Sequence, residues 1–179
     1  MNNQDTPVIS FVAKSGSGKT TLLEKVIKRL KEHGIRLAVI KHDAHQFDMD
    51  KPGKDTWRLT QAGADITAIS SPAKVAVIEK VGEEKQLDEI IGMISTVDLV
   101  LTEGFKQGNK PKIEVFRSAA HKNLLCNASE LLAIASDVEW NIGVPCYDIN
   151  DIEGITGAVL RYMQSFSTAA AAGNRSLPV

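Results

Sequence analysis

The chain has 179 residues, and its apolar fraction of 43% is enough to fill one sizeable core. Lysine and arginine (21) nearly balance aspartate and glutamate (22), which argues against a general nucleic-acid binder or a membrane-surface binder, because both carry a basic excess. No apolar run approaches the ~20 residues of a membrane-spanning helix. The two cysteines, Cys126 and Cys146, predict buried thiols in a reducing cytosol, so we expect a soluble cytoplasmic protein.

The first part of the chain alternates between strand patterns and helix patterns. Residues 7–13 predict a buried strand, and residues 20–33 predict an amphipathic helix with one apolar face. Residues 35–42 predict a second strand. A polar loop over residues 42–54 and a short helix over residues 55–64 follow it.

The later elements continue the alternation. Residues 65–80 predict an antiparallel hairpin, and residues 83–95 predict a helix. A capping box of Asn150 and Glu153 predicts the start of a last helix that ends near Phe166. Four further strands are predicted between these helices, over residues 97–104, 112–117, 131–136 and 144–150.

Strands that alternate with helices predict an α/β fold. We expect a mainly parallel sheet with helices on both faces, to which the hairpin adds a mixed portion. Residues 1–166 are predicted to form a single domain, since no linker or internal repeat interrupts them. Residues 167–179 lack a burial pattern and are predicted to form a disordered tail.

The turn between the first strand and the first helix has the pattern of a phosphate-binding loop. It reads "AKSGSGKT" and departs from G-x-x-x-x-G-K-[ST] only at Ala13, where a small residue suffices. Gly16 and Gly18 let the backbone amides approach phosphate oxygens, Lys19 adds a positive charge, and the Thr20 hydroxyl can bind Mg²⁺. An ordinary strand-to-helix turn is the alternative, yet the relaxed pattern arises by chance in only on the order of one per cent of such chains. The predicted nucleotide-binding residues in this P-loop NTPase-like fold are Ser15, Gly16, Ser17, Gly18, Lys19, Thr20 and Thr21.

A second acidic group is needed beside such a loop to position Mg²⁺ or its waters. Glu103 follows the apolar strand "DLVLTEG" and is therefore the predicted partner of Thr20 in a metal site. The alternative is a strand-end carboxylate in solvent. Asp98 begins the same strand and lies at the wrong end for this role.

The polar loop after the second strand contains further acidic candidates. In a parallel sheet the carboxyl end of that strand opens onto the same crevice as the phosphate loop. Asp48 or Asp50 can therefore reach a Mg²⁺-bound water or act as a base. A simple solvated loop explains the same residues equally well.

The sequence specifies the base of the nucleotide less clearly than it specifies the phosphate site. Asp137 ends the predicted strand in "AIASD", where its carboxylate can accept both N1–H and N2–H of guanine. A helix N-cap is the alternative role for this residue. The usual N-K-x-D guanine motif is missing, so the residues alone leave GTP and ATP open.

Several stretches together resemble one family. The stretches "AKSGSGKTTL", "VIKHDAHQFDMDKPGKDTWRLTQAGA", "LVLTEGFK", "AIASD" and "DINDIEGI" occur in order over residues 7–165. They are similar to the molybdopterin-guanine dinucleotide biosynthesis adaptor (MobB) family. The "DKPGKD" and "EGFK" segments are far more specific than a phosphate loop alone.

The resemblance implies a homodimeric GTP-binding protein with weak GTPase activity that acts late in molybdenum cofactor synthesis. Such proteins assist the partner enzyme that attaches GMP to molybdopterin and work among the other proteins of that pathway. By position, Gly16, Gly18, Lys19 and Thr20 would hold phosphate and Mg²⁺, with Glu103 as the second acidic group. No arginine is obviously placed to neutralise the charge of the transition state, so slow hydrolysis is expected unless a partner or the second subunit supplies one.

Two other functions are compatible with the same residues. The first is a kinase or efficient NTPase that binds a small acceptor in the crevice, with Asp48 or Asp50 as the base. The second is a protein-interaction scaffold in which nucleotide binding is vestigial. Turnover without a partner would favour the first alternative, and activity that survives loss of Lys19 would favour the second.

Overall fold

The computed structural model describes residues 6–43 and 47–172. Its internal contacts separate two units, one with the residues up to His42 and from Leu87 onward, the other with Asp43–Gln86. Each unit is described by itself, and the single domain over residues 1–166 stays a prediction. In chain order the helices and strands are β1 (Val8–Val12), α1 (Lys19–Glu32), β2 (Leu37–Lys41), α2 (Asp55–Gln61), β3 (Ile66–Ser71), β4 (Lys74–Glu79), α3 (Leu87–Gly92), β5 (Leu99–Glu103), β6 (Lys112–Phe116), β7 (Leu131–Ser136), β8 (Cys146–Asp148) and α4 (Ile152–Ala171).

In the described part of the first unit, six parallel strands form one sheet in the order β2-β5-β1-β6-β7-β8. The strand that precedes the phosphate loop, β1, is thus central, with β5 on one side and β6 on the other. Because the strands are parallel, the carboxyl ends of β1, β5 and β6 meet at the same edge of the sheet. This edge is where the candidate site lies.

Both faces of this sheet are covered, as the alternation of side chains along β1 and β5 shows. Ile9 and Phe11 pack in the main core with α1 and α4. Val8 and Val100 point to the opposite face, where they pack with Ile91 of α3 in a second, smaller core. The predicted α/β fold, with a mainly parallel sheet and helices on both faces, is therefore confirmed.

The hairpin of the second unit is a separate two-stranded sheet. β3 and β4 pair antiparallel from Ile66 opposite Glu79 to Ser71 opposite Lys74. A hydrogen bond of 2.8 Å between the hydroxyls of Thr60 and Thr67 joins α2 to β3. The antiparallel pair is confirmed, but the expectation that it adds a mixed portion to the large sheet is wrong. An alternating pattern predicts a strand without specifying its neighbours.

The last helix begins one residue later than the predicted capping box implies. Asp151, not Asn150, is the N-cap, and its carboxylate accepts the backbone N–H of Gly154 at 2.9 Å. With Asp151 as the N-cap, Glu153 is the second and not the third residue of the helix, so it does not complete a capping box. Its carboxylate pairs instead with Arg29 Nε of α1 at 2.7 Å. The ion pair between helices replaces the local interaction that the spacing predicts.

Two helix lengths also differ from the predictions. Helix α3 is shorter than the predicted 83–95 at both ends, since it begins at Leu87 and ends at Gly92, a poor helix former. Helix α4 continues past Phe166 to Ala171, because the alanine-rich sequence there favours helix. That part of the predicted disordered tail is thus helical, and residues 173–179 lie outside the described residues. No helix in the described ranges has the length and apolarity to cross a membrane.

The two cysteines are free thiols, but both are half-buried, not buried as predicted. Cys146 begins β8, which is an edge strand of the sheet and pairs with β7 on one side only. Burial raises the pKa of the Cys126 thiol to about 12, and the nearby Glu114 carboxylate adds to the effect. This thiol is therefore protonated at neutral pH.

Two charged side chains of β6 are almost fully buried. Lys112 and Glu114 are each 2% exposed. Lys112 Nζ pairs with Glu130 at 2.6 Å, and the Glu114 carboxylate accepts the backbone N–H groups of Leu125 and Cys126 at 2.7 and 3.0 Å. These contacts fasten the connection between β6 and β7 to the sheet.

Replacing Glu114 with alanine should lower the free energy of unfolding by about 2–4 kcal/mol, because two backbone donors lose a charged acceptor in a buried position. Urea denaturation of the purified protein measures this change. The matched control is Glu24→Ala on the exposed face of α1, which should change stability by less than about 0.5 kcal/mol. Equal stability of the two variants would contradict the prediction.

Candidate functional site

The turn between β1 and α1 has the backbone that a phosphate loop requires. Gly16 and Gly18 both have φ of +80°, a conformation that residues with a side chain rarely adopt. Lys19 is the first residue of α1, a helix of 14 residues whose first N–H groups have no partner within the helix. The partial positive charge of this helix end favours an anion at the turn.

The carboxylate of Glu103 joins the two side chains that follow Gly18. Its Oε1 accepts hydrogen bonds from Lys19 Nζ at 2.6 Å and from Thr20 Oγ1 at 2.7 Å. Glu103 reaches them because β5 pairs with β1 and places it beside Phe11, near the end of β1. The structure thus brings together the ammonium, hydroxyl and carboxylate that were predicted from separate motifs.

Glu103 is ionised at neutral pH. Partial burial alone would raise its pKa, but the hydrogen bonds from Lys19 and Thr20, with the charges of Lys19 and Lys41, outweigh that effect. The pKa of Glu103 therefore lies below its ordinary value of 4.5. An ionised carboxylate and a hydroxyl are hard oxygen donors of the kind that Mg²⁺ prefers, so the predicted metal-binding pair fits this ion.

Other groups around the loop also suit a phosphorylated ligand. Ser17 is 1% exposed, and its hydroxyl has no hydrogen-bond partner among the described residues. Lys41 ends β2 directly opposite Glu103 and adds a second positive charge. Ser15 and Thr21 lie in the loop and in the first turn of α1, and both are exposed. A buried hydroxyl without a partner in the protein is a group that a water or ligand oxygen commonly satisfies.

Asp137 lies at the end of β7, and both of its carboxylate oxygens accept hydrogen bonds from Ser118. Oδ1 accepts from the Ser118 backbone N–H at 2.8 Å and Oδ2 from its hydroxyl at 3.0 Å. The backbone hydrogen bond is the main cause that lowers the pKa of Asp137. A turn and then β8 follow Asp137, so the alternative role as a helix N-cap is wrong.

A pocket of about 400 Å³ opens at the carboxyl ends of β6 and β7, next to the Ser118–Asp137 contact. Its aromatic walls are Phe116 and Trp140, whose rings meet edge to face with centroids 4.9 Å apart. It is a wide and shallow opening on the surface, not an enclosed cavity. The lining residues are Phe116, Ser118, His121, Lys122, Val138, Glu139 and Trp140.

Two residues at the loop are absent from the predictions. Arg117 Nε donates to the carbonyl of Ser17 at 3.2 Å, and His121 Nε2 contacts the carbonyl of Ser15 at 3.0 Å. An arginine thus lies at the loop, but its guanidinium is engaged with a loop carbonyl, and the expectation that no arginine neutralises transition-state charge stays a prediction. The signal in the sequence was the position of Arg117 directly after a buried strand, but its use requires knowing that β6 lies beside β1.

Asp48 and Asp50 lie in the second unit. Asp50 Oδ1 accepts hydrogen bonds from the Lys51 N–H at 2.8 Å and from Thr56 Oγ1 at 3.1 Å, which ties the loop to α2. Asp50 Oδ2 is buried without a hydrogen-bond partner in the described residues, whereas Asp48 is exposed. A role for either carboxylate toward Mg²⁺ or as a base stays a prediction.

Comparisons with known proteins agree with one another. The family model described as "Molybdopterin guanine dinucleotide synthesis protein B" (MobB) matches residues 8–137. The "Molybdopterin-guanine dinucleotide biosynthesis adapter protein" of Escherichia coli K12 is 42% identical over 164 residues, covering 88% of this chain and 94% of that protein. Its namesake in Haemophilus influenzae is 37% identical over 171 residues, covering 94% and 96%. A crystal structure of molybdopterin-guanine biosynthesis protein B superposes with a TM-score of 0.67 at 32% identity, covering 86% and 98%.

Proposed function

The chain belongs to the MobB family of molybdopterin guanine dinucleotide synthesis proteins, and from this premise we propose that it is a GTP-binding adaptor in the biosynthesis of that dinucleotide. It binds GTP with Mg²⁺ and assists the enzyme that attaches GMP to molybdopterin. The adaptor role is supported by the names of its relatives.

The observation that carries nucleotide binding is the contact of Glu103 with both Lys19 and Thr20. A triphosphate needs an ammonium and backbone amides, and its Mg²⁺ needs a hydroxyl and a carboxylate. In this proposal Lys19 and the amides of residues 15–21 hold the phosphates. Thr20 and Glu103 hold Mg²⁺, which neutralises phosphate charge when bound.

The preference for guanine is supported by the pocket and by Asp137. An ionised carboxylate has about four acceptor positions, so Asp137 can keep its bonds to Ser118 and still accept from a base. Guanine presents two neighbouring N–H donors there, whereas adenine presents no donor at N1. Phe116 and Trp140 supply apolar walls for a purine ring.

Hydrolysis of GTP by this chain is proposed to be slow. Arg117 is engaged with a carbonyl of the loop, so no described arginine is placed to offset the charge that develops on the transferred phosphoryl group. Asp48 and Asp50 are the candidate residues for orienting the attacking water.

The chain is also proposed to act as a homodimer, in the cytoplasm, with a guanylyltransferase-type partner enzyme and other proteins of the molybdenum cofactor pathway. No nucleic-acid or membrane partner is proposed.

Calorimetric titration with Mg·GTP and Mg·ATP tests the proposal. We expect GTP to bind at least tenfold more tightly than ATP, since a paired hydrogen bond to a charged acceptor is worth about 1.5–3 kcal/mol. Asp137→Asn should remove most of that difference by weakening GTP binding alone. The control is Asp65→Asn, an exposed carboxylate of the second unit. Equal affinity for both nucleotides, or no binding of either, would reject the proposal.

A further inference from the structure

A short segment after β6, residues 117–121, contacts the backbone of the phosphate loop through two of its side chains. Arg117 and His121 begin and end this segment, which we name the clasp. Its two contacts go to alternate carbonyls of the loop, those of Ser17 and Ser15. A carbonyl oxygen only accepts hydrogen bonds, so His121 Nε2 carries the proton in its contact.

The backbone of the clasp explains how two side chains reach the same loop. The N–H groups of Ala120 and His121 both donate to the Arg117 carbonyl at 3.0 Å, which closes a single turn. Residues four apart on such a turn lie on the same side. The guanidinium also packs on the loop backbone, since a Cβ atom at Gly18 would lie 3.5 Å from Arg117 Nε.

Both ends of the clasp are fixed. Its first residue directly follows β6, which lies beside β1 in the sheet. Four residues beyond its end, the buried Glu114 carboxylate holds the backbone of Leu125 and Cys126. Ser118, within the clasp, is held by Asp137. The clasp backbone is therefore fixed in position, so its side chains can fix the orientation of the loop.

The contacts determine where two loop amides point. No peptide bond in the described residues is cis, and a trans peptide directs its carbonyl and the following N–H in opposite directions. When Ser15 and Ser17 turn their carbonyls toward the clasp, the N–H groups of Gly16 and Gly18 point away from it. Amides with a shared, fixed direction are what a phosphate site requires.

We propose that Arg117 and His121 are positioning residues that orient the Gly16 and Gly18 amides toward the phosphates of the nucleotide. The inference rests on the proposed nucleotide binding at this loop. Arg117 acts through a loop carbonyl and need not contact the nucleotide. His121 acts through a loop carbonyl too, and it also lines the pocket proposed for the base. Loss of either contact allows the peptide plane of that carbonyl to rotate. Binding of the nucleotide must then fix the plane, and this ordering weakens the affinity.

Mg·GTP affinity of four variants tests this role by calorimetry. Arg117→Ala should weaken binding about tenfold and His121→Ala roughly fivefold, as expected for one charged and one neutral hydrogen bond. Arg117→Lys and His121→Gln keep a donor near the same place and should restore part of the affinity. The matched control is Arg36→Ala, an exposed arginine of the same unit, which should bind like the parent protein.

A spectroscopic readout separates positioning from general damage. In ¹H–¹⁵N spectra, the Gly16 and Gly18 amide resonances should shift on addition of Mg·GTP in the parent protein. Those shifts should be smaller in Arg117→Ala even at saturation. Unchanged shifts, or Arg117→Lys as weak as Arg117→Ala, would overturn the positioning role.

The affinities also distinguish this inference from the proposed function. If both alanine variants bind Mg·GTP normally while Lys19→Ala does not, the inference fails and nucleotide binding stands. If Lys19→Ala also binds normally, nucleotide binding at the loop fails first.

Discussion

Lys19→Ala is expected to weaken Mg·GTP binding at least a hundredfold. The side chain of Lys19 is only 18% exposed and the residue begins α1, so charge-assisted hydrogen bonds from its ammonium to phosphate would be poorly screened by water. Its removal also takes the ion-pair partner from the Glu103 carboxylate, which is then compensated less well by Thr20 and Lys41 and repels the phosphates more strongly. Loss of attraction and gain of repulsion together exceed the roughly 2.7 kcal/mol that a hundredfold change represents.

The matched control is Lys25→Ala, which removes an equal charge from an exposed position on the same helix. Calorimetry on both variants separates two effects on affinity. One is the loss of the direct contact of Lys19, and the other is the loss of one positive charge from the long-range electrostatic field, which falls off over about 10 Å in 0.1 M salt. Similar affinities for the parent, Lys19→Ala and Lys25→Ala proteins would remove the basis of the proposed function.

Much of the fold follows from patterns that are local in the sequence. The strand over 131–136 and the beginning and end of α1 follow from runs of apolar residues at the spacing of a strand or a helix. The errors arise where a distant residue competes with a local signal. Glu153 was expected to cap its own helix, but Arg29 of another helix binds it. The hairpin pattern was correct, yet nothing in it specifies a separate sheet.

The residues of the candidate site likewise divide into those that local sequence patterns predict and those that depend on contacts between distant parts of the chain. The loop residues from Ser15 to Thr21 can be predicted as a site because glycine, lysine and threonine are adjacent in the chain. Glu103 can be predicted because strand ends in a parallel sheet converge, and the structure shows its contact with Lys19, which lies 84 positions away. Arg117 lies 100 positions from Ser17 and carries no motif, so only the order of the strands reveals it.

Glu103→Gln should change how GTP binding depends on Mg²⁺. Without the metal, an ionised Glu103 repels the phosphates, so the neutral amide should raise affinity in EDTA by about tenfold. With the metal, the amide is a weaker ligand, so the gain in affinity from Mg²⁺ should fall by about tenfold or more. Titrations of GTP in EDTA and in excess Mg²⁺ measure both effects on one protein.

Thr20→Val distinguishes the charge of Glu103 from its role as a metal ligand. This variant loses the hydroxyl that would bind Mg²⁺ but keeps the carboxylate, so its affinity for GTP in EDTA should not rise. Its gain from Mg²⁺ should nevertheless fall, as in Glu103→Gln, because each side chain supplies one oxygen to the same ion. If Glu103→Gln retains the full effect of Mg²⁺ while Thr20→Val loses it, the carboxylate pairs with Lys19 for structure alone, and another acidic residue must position the metal.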